Sequence, residues 1–152
     1  MVRSIRLAVL IGLLAALVVG SGTVAAGGPK ILDTRLAGLP TPRLVLAGVT
    51  GAGHAWAIAD GNAKLFADGR LHVEVEGLVL TPEGTNPVGS GRAIVSCNGG
   101  ATPADIVMSA VVPLSIPDGN AVVDQKLTLP SPCLAPTIFF TSAGGAWFAV
   151  SG

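Results

Sequence analysis

Residues 71–76 (LHVEVE) alternate strictly between apolar and polar side chains, which is the repeat of a half-buried β-strand. A second short run, AKLFA at residues 63–67, precedes it, and Asp68 and Gly69 lie between the two runs. An Asp-Gly pair between two such runs predicts a β-hairpin with a type I′ turn, because that turn requires positive φ at both central residues. This unit commits the chain to antiparallel pairing over residues 63–80.

The rest of the chain repeats the same plan, with short apolar runs separated by glycine, proline, asparagine and aspartate. No segment has the 3.6-residue period of an amphipathic helix. We therefore predict an all-β fold, an antiparallel β-sandwich of about eight to nine short strands with immunoglobulin-like, Greek-key topology; a small β-barrel is the alternative. The further predicted strands lie at residues 44–49, 55–59, 93–97, 105–114, 121–129, 137–142 and 146–151.

The first 26 residues have the pattern of a helical signal peptide. Arg3 and Arg6 precede an uncharged run at residues 7–19, and small residues lead up to Ala26. We predict Sec-type export with cleavage after Ala26, which makes the protein secreted or extracytoplasmic. Because residues 7–26 contain no charge, an uncleaved membrane anchor is the alternative.

Residues 27–43 contain three prolines and mixed charges, and we predict a flexible linker there, followed by the β-sandwich domain over residues 44–152. Without residues 1–26 the chain has seven basic and nine acidic side chains, a formal charge of −2. No basic patch is present, which argues against nucleic acid as a partner. The sparse charge suits an exported protein that binds cell-envelope material or another protein, and a membrane only through an uncleaved leader.

The two cysteines, Cys97 and Cys133, both lie in the exported part. An even number of cysteines in an oxidising compartment predicts one disulfide, with a stabilising effect of roughly 3–4 kcal/mol. A structural link is favoured over a nucleophile or a metal ligand, because neither cysteine belongs to a C-x-x-C motif.

Candidate chemistry is sparse. His54, His72 and Glu74 are the candidates for a metal site, but their spacing matches no metal-binding motif, and surface or packing roles are favoured. Met108 is interpreted as ordinary core. The chain has no P-loop, dinucleotide fingerprint or H-E-x-x-H motif, so we predict no cofactor and no enzymatic activity. The alternative is a metal-binding protein or a hydrolase whose site is assembled only in three dimensions.

The two tryptophans lie in similar segments, GHAWAIADG at residues 53–61 and GGAWFAVSG at residues 144–152. We interpret each segment as a short strand in which Trp56 or Trp147 fills the core, with the two segments close together in space. A pair of ligand-binding tryptophans is the alternative.

Several segments together resemble a group of small exported bacterial proteins, mostly from soil-type Gram-positive lineages. They are LFADGRLHVEVEGLVL, EGTNPV, AIVSC, LPSPCLAP and the closing GAWFAVSG. The resemblance covers residues 44–152 and implies export, paired cysteines and a compact β domain. It assigns no catalytic residue to this chain.

Overall fold

The computed structural model describes residues 28–152, so the predicted signal peptide lies outside the described residues. The described part is antiparallel β-structure with two short 3₁₀ turns, Asn98–Gly100 and Pro103–Asp105. The all-β, antiparallel prediction is confirmed. Within residues 28–152, no helix is both long enough and apolar enough to cross a membrane. The strands are β1 (Lys30–Gly38), β2 (Val45–Leu46), β3 (Val49–Thr50), β4 (Trp56–Ala57), β5 (Asp60–Phe66), β6 (Arg70–Glu76), β7 (Val79–Leu80), β8 (Ser90–Ser96), β9 (Ile106–Met108), β10 (Val112–Pro113), β11 (Ala121–Lys126), β12 (Thr137–Ser142) and β13 (Trp147–Ser151).

Nine strands form one curled sheet in the order β10-β8-β12-β13-β1-β5-β6-β11, and β9 pairs with β8 on the same side as β10. The first part of β1 pairs with β5 and its last part pairs with β13, so β1 belongs to both layers of the fold. We call β1-β5-β6-β11 the first layer and β1-β13-β12-β8 with β9 and β10 the second layer. Where the layers meet again, the Ala110 N–H donates to Gln125 Oε1 at 2.8 Å. The fold thus combines the two layers of a sandwich with the curl of a barrel.

The core lies between the two layers and follows the alternation seen in the sequence. Leu71, Val73 and Val75 of β6 point inward and are buried, while the residues between them face outward. Aromatic and aliphatic side chains of the second layer complete the core, and they include Ile138, Phe140 and Ala149.

The β5–β6 hairpin confirms the predicted pairing, but its turn differs from the prediction. Only Gly69 of the Asp-Gly pair has positive φ (86°), and its N–H donates to the Phe66 carbonyl at 2.9 Å. The connection is therefore a three-residue loop with a left-handed glycine at its end. The Asp68 carboxylate favours this form, because it accepts a hydrogen bond from the Arg70 N–H at 3.2 Å.

Three of the predicted strand assignments need correction. Residues 44–49 form the β2–β3 hairpin rather than one strand, with positive φ at both Ala47 and Gly48. An alanine at positive φ is uncommon, so no turn signal was visible there. The predicted strand at residues 55–59 is reduced to β4 (Trp56–Ala57), and β5 begins at Asp60. The predicted strand at residues 105–114 is split into β9 and β10.

The predicted flexible linker over residues 27–43 is wrong for β1, which lies in the middle of the sheet. Leu32, Thr34 and Leu36 alternate with Asp33 and Arg35, and Leu36 is buried on the core side. This two-residue period is the strand signal, and the flanking prolines obscured it. The folded domain therefore begins with β1 instead of at residue 44.

Candidate functional site

Of the predicted metal-site residues, His72 and Glu74 lie on the outer face of the first layer and His54 lies in a separate loop, and the three do not form a ligand cluster. His72 Nδ1 is 3.7 Å from Asp124 Oδ2, and Glu74 Oε2 accepts a hydrogen bond from Asn62 Nδ2 at 3.2 Å. His54 is exposed in the loop before β4. Among residues 28–152, no three His, Cys, Asp or Glu side chains are close enough to hold a metal ion.

Charged side chains on this face line up across the strands. Asp33, Lys64, His72 and Asp124 occupy successive registered positions on β1, β5, β6 and β11. Opposite charges at neighbouring positions attract, but solvent screens pairs that are this exposed. We interpret the outer face of the first layer as a solvated, charge-balanced surface.

The predicted disulfide between Cys97 and Cys133 is present, with Cα atoms 4.8 Å apart. Beside it, Asn98 Nδ2 donates to Asp105 Oδ1 at 2.7 Å, and Asn98 Oδ1 accepts from the Leu134 N–H at 2.9 Å. Hydrogen bonds from Asn98, and from the side chain and N–H of Thr102, hold the pKa of Asp105 below its ordinary value. This polar cluster fastens the residues around the disulfide. The sequence did not predict this cluster, because only the fold brings Asn98, Asp105 and Leu134 together.

Both tryptophans are buried. The Trp56 ring packs against Phe148 in a tilted arrangement with centroids 4.2 Å apart, and the Trp147 ring centroid lies 5.7 Å from that of Phe139. Trp147 Nε1 donates to the Leu44 carbonyl at 3.0 Å, whereas Trp56 Nε1 has no partner among residues 28–152. Neither ring offers a surface on which a ligand could stack.

Residues 39–52, which we call the cover segment, lie across the outer face of the second layer. The Leu39 N–H donates to the Phe148 carbonyl at 2.8 Å, and the Ala52 N–H donates to the Trp147 carbonyl at 3.0 Å. The second layer is therefore buried on both faces over much of its width. Its outer face is mainly apolar, with Arg92 as a charged residue on β8, in contrast to the charged outer face of the first layer.

One row of that apolar face continues beyond the cover segment. Val150, Phe139, Ile94 and Met108 are neighbours on β13, β12, β8 and β9. The first three are buried, but Met108 is 49% exposed. The prediction that Met108 is ordinary core is therefore wrong, because β9 is an edge strand and the cover segment does not enclose it.

Two adjoining surface depressions of about 370 and 390 Å³ surround Met108, and we call them together the Met108 groove. Both are lined by Gly48, Ile106 and Met108, and neither is lined by a charged residue. Their other walls are Val49, Thr50, Ile94 and Gly144–Ala146 in one depression and Gly100, Ala101, Thr102 and Pro103 in the other.

The outer edge of β9 carries main-chain groups that point away from the sheet. The Cys97 N–H donates to the Asp105 carbonyl and the Ser109 N–H donates to the Ala93 carbonyl. In this pairing the Asp105 carbonyl, the Val107 N–H and carbonyl and the Ser109 N–H point to β8. The main-chain groups of Ile106 and Met108 therefore point to the open edge. Within the described chain, no strand pairs with that edge.

Arg92 lies beside the groove without an acidic partner in the described part of the chain. Its Nη1 is 3.5 Å from Met108 Sδ, and its buried Nε makes no hydrogen bond to residues 28–152. Arg92 and Ile94 are two residues apart on β8 and therefore project from the same face as Met108. The sequence did not predict this arrangement, because only the register of β8 with β9 places the Arg92 cation beside the uncharged groove.

Comparisons of the chain with protein-family models, with curated proteins and with solved structures gave no match. The candidate site therefore rests on the geometry of this chain alone.

Proposed function

We propose that this protein is an exported, non-enzymatic binding domain whose ligand occupies the Met108 groove. The observation that carries the proposal is the groove itself, an exposed depression whose lining contains no charged residue, whereas two other depressions of similar size are lined by Glu74 and Glu76 or by Asp68. The Cys97–Cys133 disulfide is consistent with an oxidising extracytoplasmic compartment, and the leader pattern of residues 1–26 supports export.

The size and lining of the groove suit binding. Each depression falls within the range of roughly 300–1,000 Å³ that is usual for ligand pockets. Exposed apolar surface costs free energy in water, so a patch of this kind on a soluble domain favours an interaction role. Gly144 and Gly145 have room where a side chain would lie, so a ligand could approach the main chain closely there.

The groove is poor in groups that could perform acid–base or nucleophilic chemistry. Thr50 and Thr102 supply the only polar side chains of its lining. Thr102 Oγ1 donates to Asp105 Oδ2 at 2.8 Å, but that carboxylate is buried, has a lowered pKa and already accepts hydrogen bonds from Asn98 and the Thr102 N–H, so it is poorly suited to act as a base. His72 and Glu74 belong to the outer face of the other layer. Binding is therefore the function that this site supports, with cell-envelope material or another protein as the partner.

A fluorescent apolar probe, N-phenyl-1-naphthylamine, tests the proposal. We expect the wild-type protein to bind it and Met108→Glu to weaken binding at least about tenfold, because the variant replaces an apolar wall of the groove with a hydrated carboxylate that lies within reach of Arg92. Val122→Glu is the matched control, since Val122 is similarly exposed (52%) but lies on the outer face of the first layer. Equal binding by the two variants would contradict the proposal.

A further inference from the structure

We infer that the Met108 groove binds an extended polypeptide segment of a partner protein, which pairs with the open edge of β9 and places an acidic side chain against Arg92. The inference rests on the proposed function, because it names the ligand class of the same groove. Three features of the groove carry it: the open strand edge, the small uncharged walls and the unpaired cation.

The open edge of β9 favours a polypeptide ligand, because a peptide main chain can form hydrogen bonds with the unpaired main-chain groups of that edge. The N–H and carbonyl groups of Met108 and the carbonyl of Ile106 point to the open edge of β9 beside the groove, while the Ile106 N–H already donates to the Pro103 carbonyl. An added strand would satisfy these groups with ladder hydrogen bonds, as in other cases of strand addition. An acyl chain has no donor or acceptor along its length and would leave them unpaired in a drier environment.

The groove walls fit the alternate side chains of such a strand. Gly48 of the cover segment and Gly100 of the first 3₁₀ turn lie close together, and the depressions that they line are otherwise lined by apolar and hydroxyl groups. Every second side chain of a paired strand points to the same face. Apolar or small side chains at those positions would therefore enter the groove.

Arg92 supplies the charge complementarity. It projects from the same face as Ile94 and Met108, and no Asp or Glu side chain of residues 28–152 forms a salt bridge with it. A carboxylate forms stronger hydrogen bonds with a guanidinium group than a neutral amide does. The ligand segment should therefore carry an acidic residue near the end that lies beside Met108, which Arg92 contacts.

Two synthetic pentapeptides test this inference with the disulfide-intact protein, acetyl-Thr-Val-Thr-Val-Glu-amide and its Gln-ended analogue. We expect the Glu peptide to bind about tenfold more tightly than the Gln peptide, measured by displacement of N-phenyl-1-naphthylamine. Arg92→Gln should abolish this preference and Arg92→Lys should retain it. Lys126→Gln, which removes a cation from the first layer, should have no effect. Hydrogen exchange at the Met108 N–H should slow when the Glu peptide is bound.

The outcomes that contradict the peptide inference differ from those that contradict the proposed function. If the probe binds in a Met108-dependent way but neither peptide displaces it, the peptide inference is wrong and the groove proposal stands; displacement by dodecanoate alone would then assign the groove to acyl chains. Equal affinity for the Glu and Gln peptides would overturn the role of Arg92. Equal affinity of the probe for the wild-type protein and for Met108→Glu would overturn the proposed function itself. Far-UV circular dichroism of each variant verifies that it is folded.

Discussion

Replacement of Trp147 is the sharpest test of how the cover segment is held. The indole ring is 1% exposed and packs against Phe139, and its N–H donates to the Leu44 carbonyl of the cover segment. Trp147→Ala removes both contacts, and we expect it to lower the free energy of unfolding by about 3–5 kcal/mol, as for other buried aromatic truncations.

The more discriminating variants are Trp147→Phe and Trp56→Phe. Both shrink a buried ring, but only Trp147→Phe deletes a hydrogen bond, since the Trp56 N–H makes none within residues 28–152. A hydrogen bond of this kind contributes about 1 kcal/mol, and an unsatisfied buried donor is itself unfavourable. We therefore expect Trp147→Phe to be the more destabilising of the two by about 1–2 kcal/mol.

Urea unfolding of the disulfide-intact variants, followed by far-UV circular dichroism, measures these differences. The remaining tryptophan of each variant gives a fluorescence signal as a second probe of the same transition. If Trp147→Ala lowered the free energy of unfolding by less than about 1 kcal/mol, the reasoning would be refuted, because truncating a deeply buried aromatic side chain should have a larger effect. A larger cost for Trp56→Phe than for Trp147→Phe would refute the role of the indole hydrogen bond.

Three further predictions follow from the disulfide, its neighbouring carboxylate and the junction of the layers. Removing the disulfide with a Cys97→Ser, Cys133→Ser double variant should lower the free energy of unfolding by about 3–4 kcal/mol, and an unchanged urea midpoint would contradict this. The lowered pKa of Asp105 stabilises the fold above the ordinary aspartate pKa, and this stabilisation is lost as the pH falls through the lower, folded-state pKa. Asp105→Asn should therefore reduce the loss of unfolding free energy at acidic pH. An unchanged pH dependence would show that Asp105 does not contribute to it. Gln125→Ala should lower the free energy of unfolding by about 1 kcal/mol and speed hydrogen exchange at the Ala110 N–H, which donates to Gln125 Oε1. Unaltered exchange at Ala110 would show that this hydrogen bond does not hold the layers together.

The sequence predicted those parts of the fold whose signals are local. Strand β6 and its hairpin with β5 were visible because alternation and turn residues occur within about twenty positions. The pairing of Cys97 with Cys133 was predictable because the chain offers no other partner. The turn type was not predictable, because Asp-Gly is compatible with both a two-residue and a three-residue connection.

The candidate site depends on contacts between distant parts of the chain. Met108 resembles a core residue in the sequence, and only the position of β9 at the sheet edge exposes it. Arg92 is one of several scattered cations until the register of β8 with β9 places it beside Met108. Strand β1 was missed for a related reason, since its alternation is short and its partners come from both ends of the fold.

The way in which the cover segment is attached has a consequence for engineering. Its hydrogen bonds run through main-chain atoms, including the Leu44 carbonyl, which accepts from both the Gly51 N–H and the Trp147 indole. The side chains of Leu44, Val45 and Leu46 are meanwhile 42–62% exposed. Sequence diversity can therefore be introduced at these three positions while the attachment is preserved, which makes the β2–β3 hairpin a natural grafting position for a display library on this scaffold.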